Sequence, residues 1–290
     1  MFGLFKKKLK TIDKNAVNIE IENFNSKGIE DGNGIIVSLT SFPERMYEIH
    51  FTLYSLLNQS FKPEKVILWL AEEQFPNREK DIPEQVLKLK ENGLEIEWCE
   101  NIKSYKKLIP ALKKYPDKSI VTADDDLFYE NDWLEKLAKT HQTYPNYVIA
   151  SRSHLIKFSK GEIAPYKKWK KSVNSPKPSY LNFLTSGGGV LFPPNSLYKE
   201  VINEKLFLSL APNADDIWFW SMCILNGTKI VSPQKSIKKI TYLNPERERG
   251  LTNETTLFSS NKKGGNDIQL ANVTEHYPEI LEILSKAKFY

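Results

Sequence analysis

Three continuous apolar runs rich in β-branched residues, Ile35-Ile-Val-Ser-Leu39, Val66-Ile-Leu-Trp-Leu70 and Ser119-Ile-Val-Thr-Ala123, recur through the first half of the chain. A strand with one wet face alternates apolar and polar positions. These do not, so each predicts a strand covered on both faces, as in a parallel sheet. Between the first two, Ile49, Leu53, Leu56 and Leu57 fall at helical spacing within 46–59, and Lys62-Pro63 follows as a stop. Parallel neighbours joined through a helix imply a right-handed crossover. A short helix over 82–92, with Pro83 in its first turn, and the alternating Leu94-Glu-Ile-Glu-Trp98 continue the pattern, followed by a helix over 104–113. The alternation of strand and helix argues an α/β fold.

The second half adds strands at 147–151, 229–231 and 240–243, an apolar strand behind Gly187-Gly-Gly189, an aromatic helix from Asp215, and a closing helix around Ile280-Leu-Glu-Ile-Leu284. Residues 156–180 read instead as a long basic loop, with six lysines between Lys157 and Lys171 around Trp169 and three prolines. The polar stretch after Asn244 and the Lys262-Lys-Gly-Gly-Asn-Asp-Ile-Gln269 segment read as further loops. At 290 residues and 40% hydrophobic, the chain can bury one large core or two small ones. We assign 1–33 to a basic tail and lead-in, and 34–290 to a single domain.

Charge and cysteine content narrow the function classes. A net charge of +5 is too mild to argue for nucleic acid. Cys99 and Cys223 alone provide neither a disulfide framework nor a cysteine zinc site, and suit a reducing compartment. No apolar run reaches the ~20 residues of a membrane span and no secretory leader opens the chain, so a cytoplasmic location is expected. Phe2, Leu4 and Phe5 beside Lys6, Lys7, Lys8 and Lys10 predict either peripheral contact with the anionic inner face of a membrane or a plain disordered tail.

The chemistry gathers where strands end. Asp124-Asp-Asp126 follows the third run directly, and Asp132 stands as the N-cap of the next helix, which puts the triplet at the carboxyl edge of the sheet, where open α/β folds bind ligands. Three adjacent carboxylates ask for a cation, a shared proton or full solvation; a hard divalent ion such as Mg²⁺ or Mn²⁺ satisfies them, and an acidic turn is the plain alternative. After the first run, Thr40-Ser-Phe-Pro-Glu-Arg45 sets hydroxyls and an arginine at the same edge. Lys106 and Lys107 near a helix start suit a diphosphate. Gly187, Gly188 and Gly189 permit close backbone approach, or only tight packing. Of Asp215 and Asp216, one suffices to cap the aromatic helix, which leaves the other, backed by Trp218, as a candidate general base. His276 is a weak metal-ligand candidate.

In this order the motifs resemble the GT-A glycosyltransferases, particularly the bacterial enzymes that build capsular or lipopolysaccharide chains. The resemblance spans most of 34–290, and its specificity lies in the order of Val37–Arg45, Asp124–Asp126, Gly187–Gly189 and Asp215-Asp216 rather than in any one motif. It implies a Rossmann-like, mostly parallel sheet flanked by helices, with a nucleotide-sugar half over 34–135 and an acceptor half with a smaller subregion over 136–290. It implies Mn²⁺ or Mg²⁺ on Asp124 and Asp126, with Asp125 between; nucleotide contacts from Thr40, Ser41, Phe42 and Arg45; and phosphate or sugar contacts from Lys106 or Lys107. Acceptor contacts would come from Gly187–Gly189 and Trp218, with Asp216 as base. Where the family commonly has glutamate first, this chain has Asp215, so the base lies within that pair. The donor would be a nucleotide sugar such as a UDP-sugar, and the acceptor a hydroxyl on a glycan or lipid-linked glycan, anionic if the basic loop meets it.

Three other classes compete. A haloacid-dehalogenase-like phosphatase also ends a strand in Asp-x-Asp, but Phe128 departs from its pattern and the triplet lies deep in the chain. A non-enzymatic sugar-binding protein is another, separated by whether a nucleotide sugar is hydrolysed. A glycoside hydrolase would use two carboxylates without the lysines.

Overall fold

The computed structural model describes residues 9–234, 240–248 and 264–287. Seven strands form the central sheet: β1 (Ile35–Thr40), β2 (Lys65–Ala71), β3 (Leu94–Cys99), β4 (Ser119–Ala123), β5 (Val148–Ala150), β6 (Val190–Phe192) and β7 (Ile230–Val231). Their spatial order is β7-β5-β6-β4-β1-β2-β3. β4, β1, β2 and β3 pair in parallel, β7 is parallel to β5, and only β6 runs against its neighbours β4 and β5. The expected mostly parallel α/β sheet is therefore present.

The continuous apolar runs are explained by two cores, one on each face. Ile36, Ile67 and Ile120 point into one, with α4 (Asp215–Leu225), α5 (Asn266–His276) and α6 (Glu279–Ala287) against it. Val37, Leu68 and Val121 point into the other, under α2 (Ile49–Leu57) and α3 (Trp133–Thr143). Successive strand residues alternate faces, so a strand between two cores has no polar phase. The lead-in is not featureless: Asp13 accepts from the amides of Asn15 and Ala16 and caps α1 (Lys14–Glu22), whose Val17 packs with Phe51 and Leu243 of a small third core.

Several expectations are corrected. The long basic loop is partly structured: Lys170–Val173, Ser153–Leu155 and Asn182–Leu184 form an antiparallel sheet, and Trp169 is buried. The helix expected over 104–113 is a turn, Lys103–Lys107, followed by a helix at Ile109–Lys114. Pro110 has no amide hydrogen and is tolerated only in a first turn, which sets the later start. Asp132 occupies the N-cap position of α3, yet its carboxylate pairs with Lys136 instead of capping. Asn266 to Gln269 opens α5 rather than extending a loop. The tail residues 1–8 and most of the polar stretch, 249–263, lie outside the described residues.

Candidate active site

β1, β4 and β5 end at one edge of the sheet, where the antiparallel β6 and helix α4 begin. A cavity of about 1430 Å³ opens there, lined by Thr40, Ser41, Phe42, Arg45, Lys106, Lys107, Asp124–Asp126, Gly187, Asp215 and Asp216. Residues from five separate stretches of sequence thus meet in one place.

The three aspartates face different partners. Asp124 Oδ1 lies 2.5 Å from Lys107 Nζ, and its amide donates to Tyr129 Oη at 2.8 Å. Asp125 Oδ2 accepts from Ser41 Oγ at 2.5 Å, and the Asp125 carbonyl accepts from Thr52 Oγ1 at 3.0 Å. Asp126 Oδ2 lies 3.0 Å from Arg45 Nη1. Burial pushes the Asp125 carboxyl up to about 6, with Asp126 and Asp124 adding to it while Arg45 and Ser41 oppose. The cations answer this charge: burial alone would lower the Arg45 guanidinium, but Asp125 and Asp126 outweigh it.

Lys106 and Lys107 are carried by a turn that the sheet grips. The Lys107 carbonyl accepts from Ser38 Oγ at 2.7 Å, which itself accepts from Trp69 Nε1 at 3.0 Å, and Tyr105 Oη donates to the Ala211 carbonyl at 2.6 Å. Lys107 Nζ bridges Asp124 and Asp215, the latter at 3.3 Å. Burial opposes its charge, yet Asp124, Asp215 and Asp216 hold its ammonium well above the usual range. Lys106 Nζ donates to Gln74 Oε1 at 3.0 Å, and burial lowers it.

Asp215 and Asp216 open α4, but neither caps it: Ala214 holds the N-cap position without a side-chain bond. Asp215 turns to Lys107. Asp216 Oδ1 accepts both the Ser186 amide at 2.9 Å and the Ser186 hydroxyl at 2.5 Å. Burial raises the Asp216 carboxyl to about 7, with Asp215 adding to the rise and Lys107 and Ser186 opposing it. An acid of this kind exchanges a proton near neutral pH.

Other expected residues are not brought to the cavity. Trp218 is fully buried and donates its indole N–H to the Val201 carbonyl at 3.0 Å, because the apolar face of α4 is core. His276 is exposed at the end of α5 and does not line the cavity. Only Gly187 of the three glycines lines it. A Cβ at Gly188 would lie 2.7 Å from Arg152 Cβ, and one at Gly189, where φ is +89°, would collide with the Trp133 ring. These two glycines serve packing. Sequence reasoning missed Ser186, Tyr129, Arg152 and Arg247. The last is fully buried, paired with Glu48, and 4.0 Å from Asp126 Oδ2. No spacing rule flags a serine or arginine whose partner lies across the fold.

No family model and no curated protein matches the chain. Among solved structures, it is similar to residues 1–349 of TarS from S. aureus, at 15% identity and a TM-score of 0.48 over 84% of this chain and 71% of that one. It is also similar to the same protein in complex with UDP-GlcNAc, at 16% identity and a TM-score of 0.49 over 78% of this chain and 60% of that one. It spans 38% of the longer TarS chain.

Proposed function

We propose that the chain is a GT-A glycosyltransferase that moves a sugar from a nucleotide diphosphate sugar, a UDP-sugar being the donor of choice, to a hydroxyl of a surface polysaccharide or glycolipid. The observation that carries this reading is Asp216. It stands in one cavity with a cation-paired carboxylate cluster, and burial pushes its carboxyl up to about 7. That value suits a group that takes a proton in catalysis.

The donor occupies the Thr40–Arg45 side, with its diphosphate against Lys106, Lys107 and Arg45. What supports a metal is the state of the carboxylates themselves. Asp124 Oδ2 and Asp126 Oδ1 have no hydrogen-bond partner among the described residues, and the two side chains keep 26% and 19% of their exposure. No third His, Cys, Asp or Glu joins them among the described residues. Two carboxylate oxygens fit Mg²⁺ or Mn²⁺, which complete their shell with water and phosphate oxygens. Such an ion would draw charge from the departing diphosphate.

Asp216 Oδ2, also without a hydrogen-bond partner among the described residues, takes the proton of the acceptor hydroxyl as that oxygen bonds to the anomeric carbon. The bond from that carbon to the diphosphate breaks, its electron pair leaving with the phosphate oxygen. Lys107, between Asp124 and Asp215, sets a fixed positive charge beside the leaving group. Attack opposite the leaving group inverts the anomeric centre. A thermal-shift screen of nucleotide sugars with Mn²⁺ identifies the donor, since ligand binding raises the melting temperature by mass action. Proton NMR of the product then reads the anomer: inversion supports the single displacement and retention removes it.

A further inference from the structure

The steps above leave four cations of the described cavity wall unused, Lys103, Arg152, Lys167 and Lys171, and Arg152 is close enough to Lys171 to act on its charge. Arg152 follows β5, and Lys171 lies on the neighbouring strand Lys170–Val173 of the small antiparallel sheet. Arg152 Nε donates to Thr185 Oγ1 at 2.9 Å, and a Cβ at Gly187 would lie 3.5 Å from Arg152 Nη2. Asp124 Oδ2 lies 3.4 Å from the same point, so Gly187 sits between the guanidinium and the first aspartate of the triplet. Lys171 Nζ sits 3.1 Å from the centroid of the Tyr166 ring, a cation–π contact that fixes the ammonium without neutralising it. Neither residue makes an ion pair with a carboxylate among the described residues. This differs from Arg45 and Lys107, which are both paired.

The carboxylate that acts on Lys171 is Asp267, and it is committed to the Tyr166 amide at 2.6 Å. Two part-buried like charges without a paired anion repel, and the Lys171 ammonium is pushed down to about 8 by burial, with Arg152 adding to the effect. Burial, then Asp216, raises the Tyr166 hydroxyl, and Arg152, Tyr166, Lys171 and Asp216 line one cavity, so this wall stands beside the proposed base. The cavity volume of about 1430 Å³ exceeds the roughly 300–1,000 Å³ of a pocket for one small ligand. There is room for a second ligand next to the donor.

We propose that Arg152 and Lys171 form an acceptor subsite for an anionic group, a phosphate or a carboxylate, which places the acceptor's neighbouring hydroxyl at Asp216. The word acceptor rests on the transferase reading; the anion site itself rests on the two cations.

The test is calorimetric titration of glucose 6-phosphate, glucuronate and glucose into the full chain, with and without UDP, and into an Arg152→Gln/Lys171→Gln variant whose melting curve checks folding. The subsite predicts binding of one or both anions and not of glucose, with the stronger of the two telling phosphate from carboxylate. It predicts about tenfold weaker anion binding in the variant, the scale of a lost charge-assisted contact. Unchanged anion affinity in the variant, or equal binding of glucose, overturns it. A parallel loss of UDP affinity also overturns it, by moving the pair to the donor. Failure of the transferase reading shows separately, as absence of nucleotide release from nucleotide sugars by the unaltered protein.

Discussion

Ser186 and Asp216 are joined twice, through the amide at 2.9 Å and the hydroxyl at 2.5 Å, and both bonds end on Asp216 Oδ1. The loop before β6 thereby orients the first turn of α4 and fixes which carboxylate oxygen meets the cavity. Replacing Asp216 with Asn keeps the shape and removes the base. We expect kcat to fall by about 10²–10⁴, the usual worth of a positioned base, with donor KM little changed; initial-rate kinetics check it.

The pH profile follows from the same bonds. Asp216 must be ionised to act, so the rate should rise with pH through its raised pKa of about 7. Ser186 opposes that rise, so Ser186→Ala should move the limb to higher pH. A limb that stays in place in the variant counts against Asp216 as the titrating group.

Stability should show the opposite pH trend. Asp125 and Asp216 have folded-state pKa values of about 6 and about 7, above the ordinary 3.8. The folded chain then binds more protons than the unfolded one between these values, so this contribution is full below pH 3.8 and is lost as pH rises through about 6 and about 7. Melting temperature should fall over that window, and Asp216→Asn should flatten it. Differential scanning calorimetry without ligand reads both.

Much of this arrangement was legible in the sequence. β1, β2 and β4 announced themselves because strands between two cores are apolar without alternation, and Asp124–Asp126 and Asp216 followed from their places at a strand end and a helix start. The small sheet was not legible, since its strands hold three or four residues and such runs carry no period. Trp218 misled for a physical reason: an aromatic next to a candidate base is as readily core as ligand contact. The cations that answer the triplet come from 17 and 81 residues away, a distance that only folding closes.

Asp126 should be tested as Asn rather than Ala. Arg45 is 8% exposed and donates to Asp126 Oδ2, with Asp125 4.0 Å away; Asn keeps an acceptor for that bond, whereas Ala leaves the buried donor unsatisfied at a cost of about 1–3 kcal/mol. Asp126→Asn should abolish transfer with a small loss in melting temperature, while Asp126→Ala should lose both. Near-normal activity in the Asn variant removes Asp126 from the site.

The basic N-terminus is tested by deletion of residues 1–8. The cut should stop there, because Lys10 and Thr11 pair in parallel with Thr241 and Tyr242. Among the described residues no helix is long and apolar enough to cross a membrane. Peripheral attachment through the tail predicts that deletion lowers co-sedimentation with anionic vesicles; unchanged co-sedimentation removes that role.

The central claim is that Asp216 and the Asp124–Asp126 cluster serve one glycosyl transfer. The direct measurement is nucleoside diphosphate release from a panel of nucleotide sugars, with and without Mn²⁺ or Mg²⁺, beside phosphate release from a simple phosphate ester. The account predicts metal-stimulated nucleoside diphosphate release from at least one sugar donor and no phosphate from the ester. Phosphate from the ester with no nucleotide released from any donor would contradict it and make the chain a phosphatase.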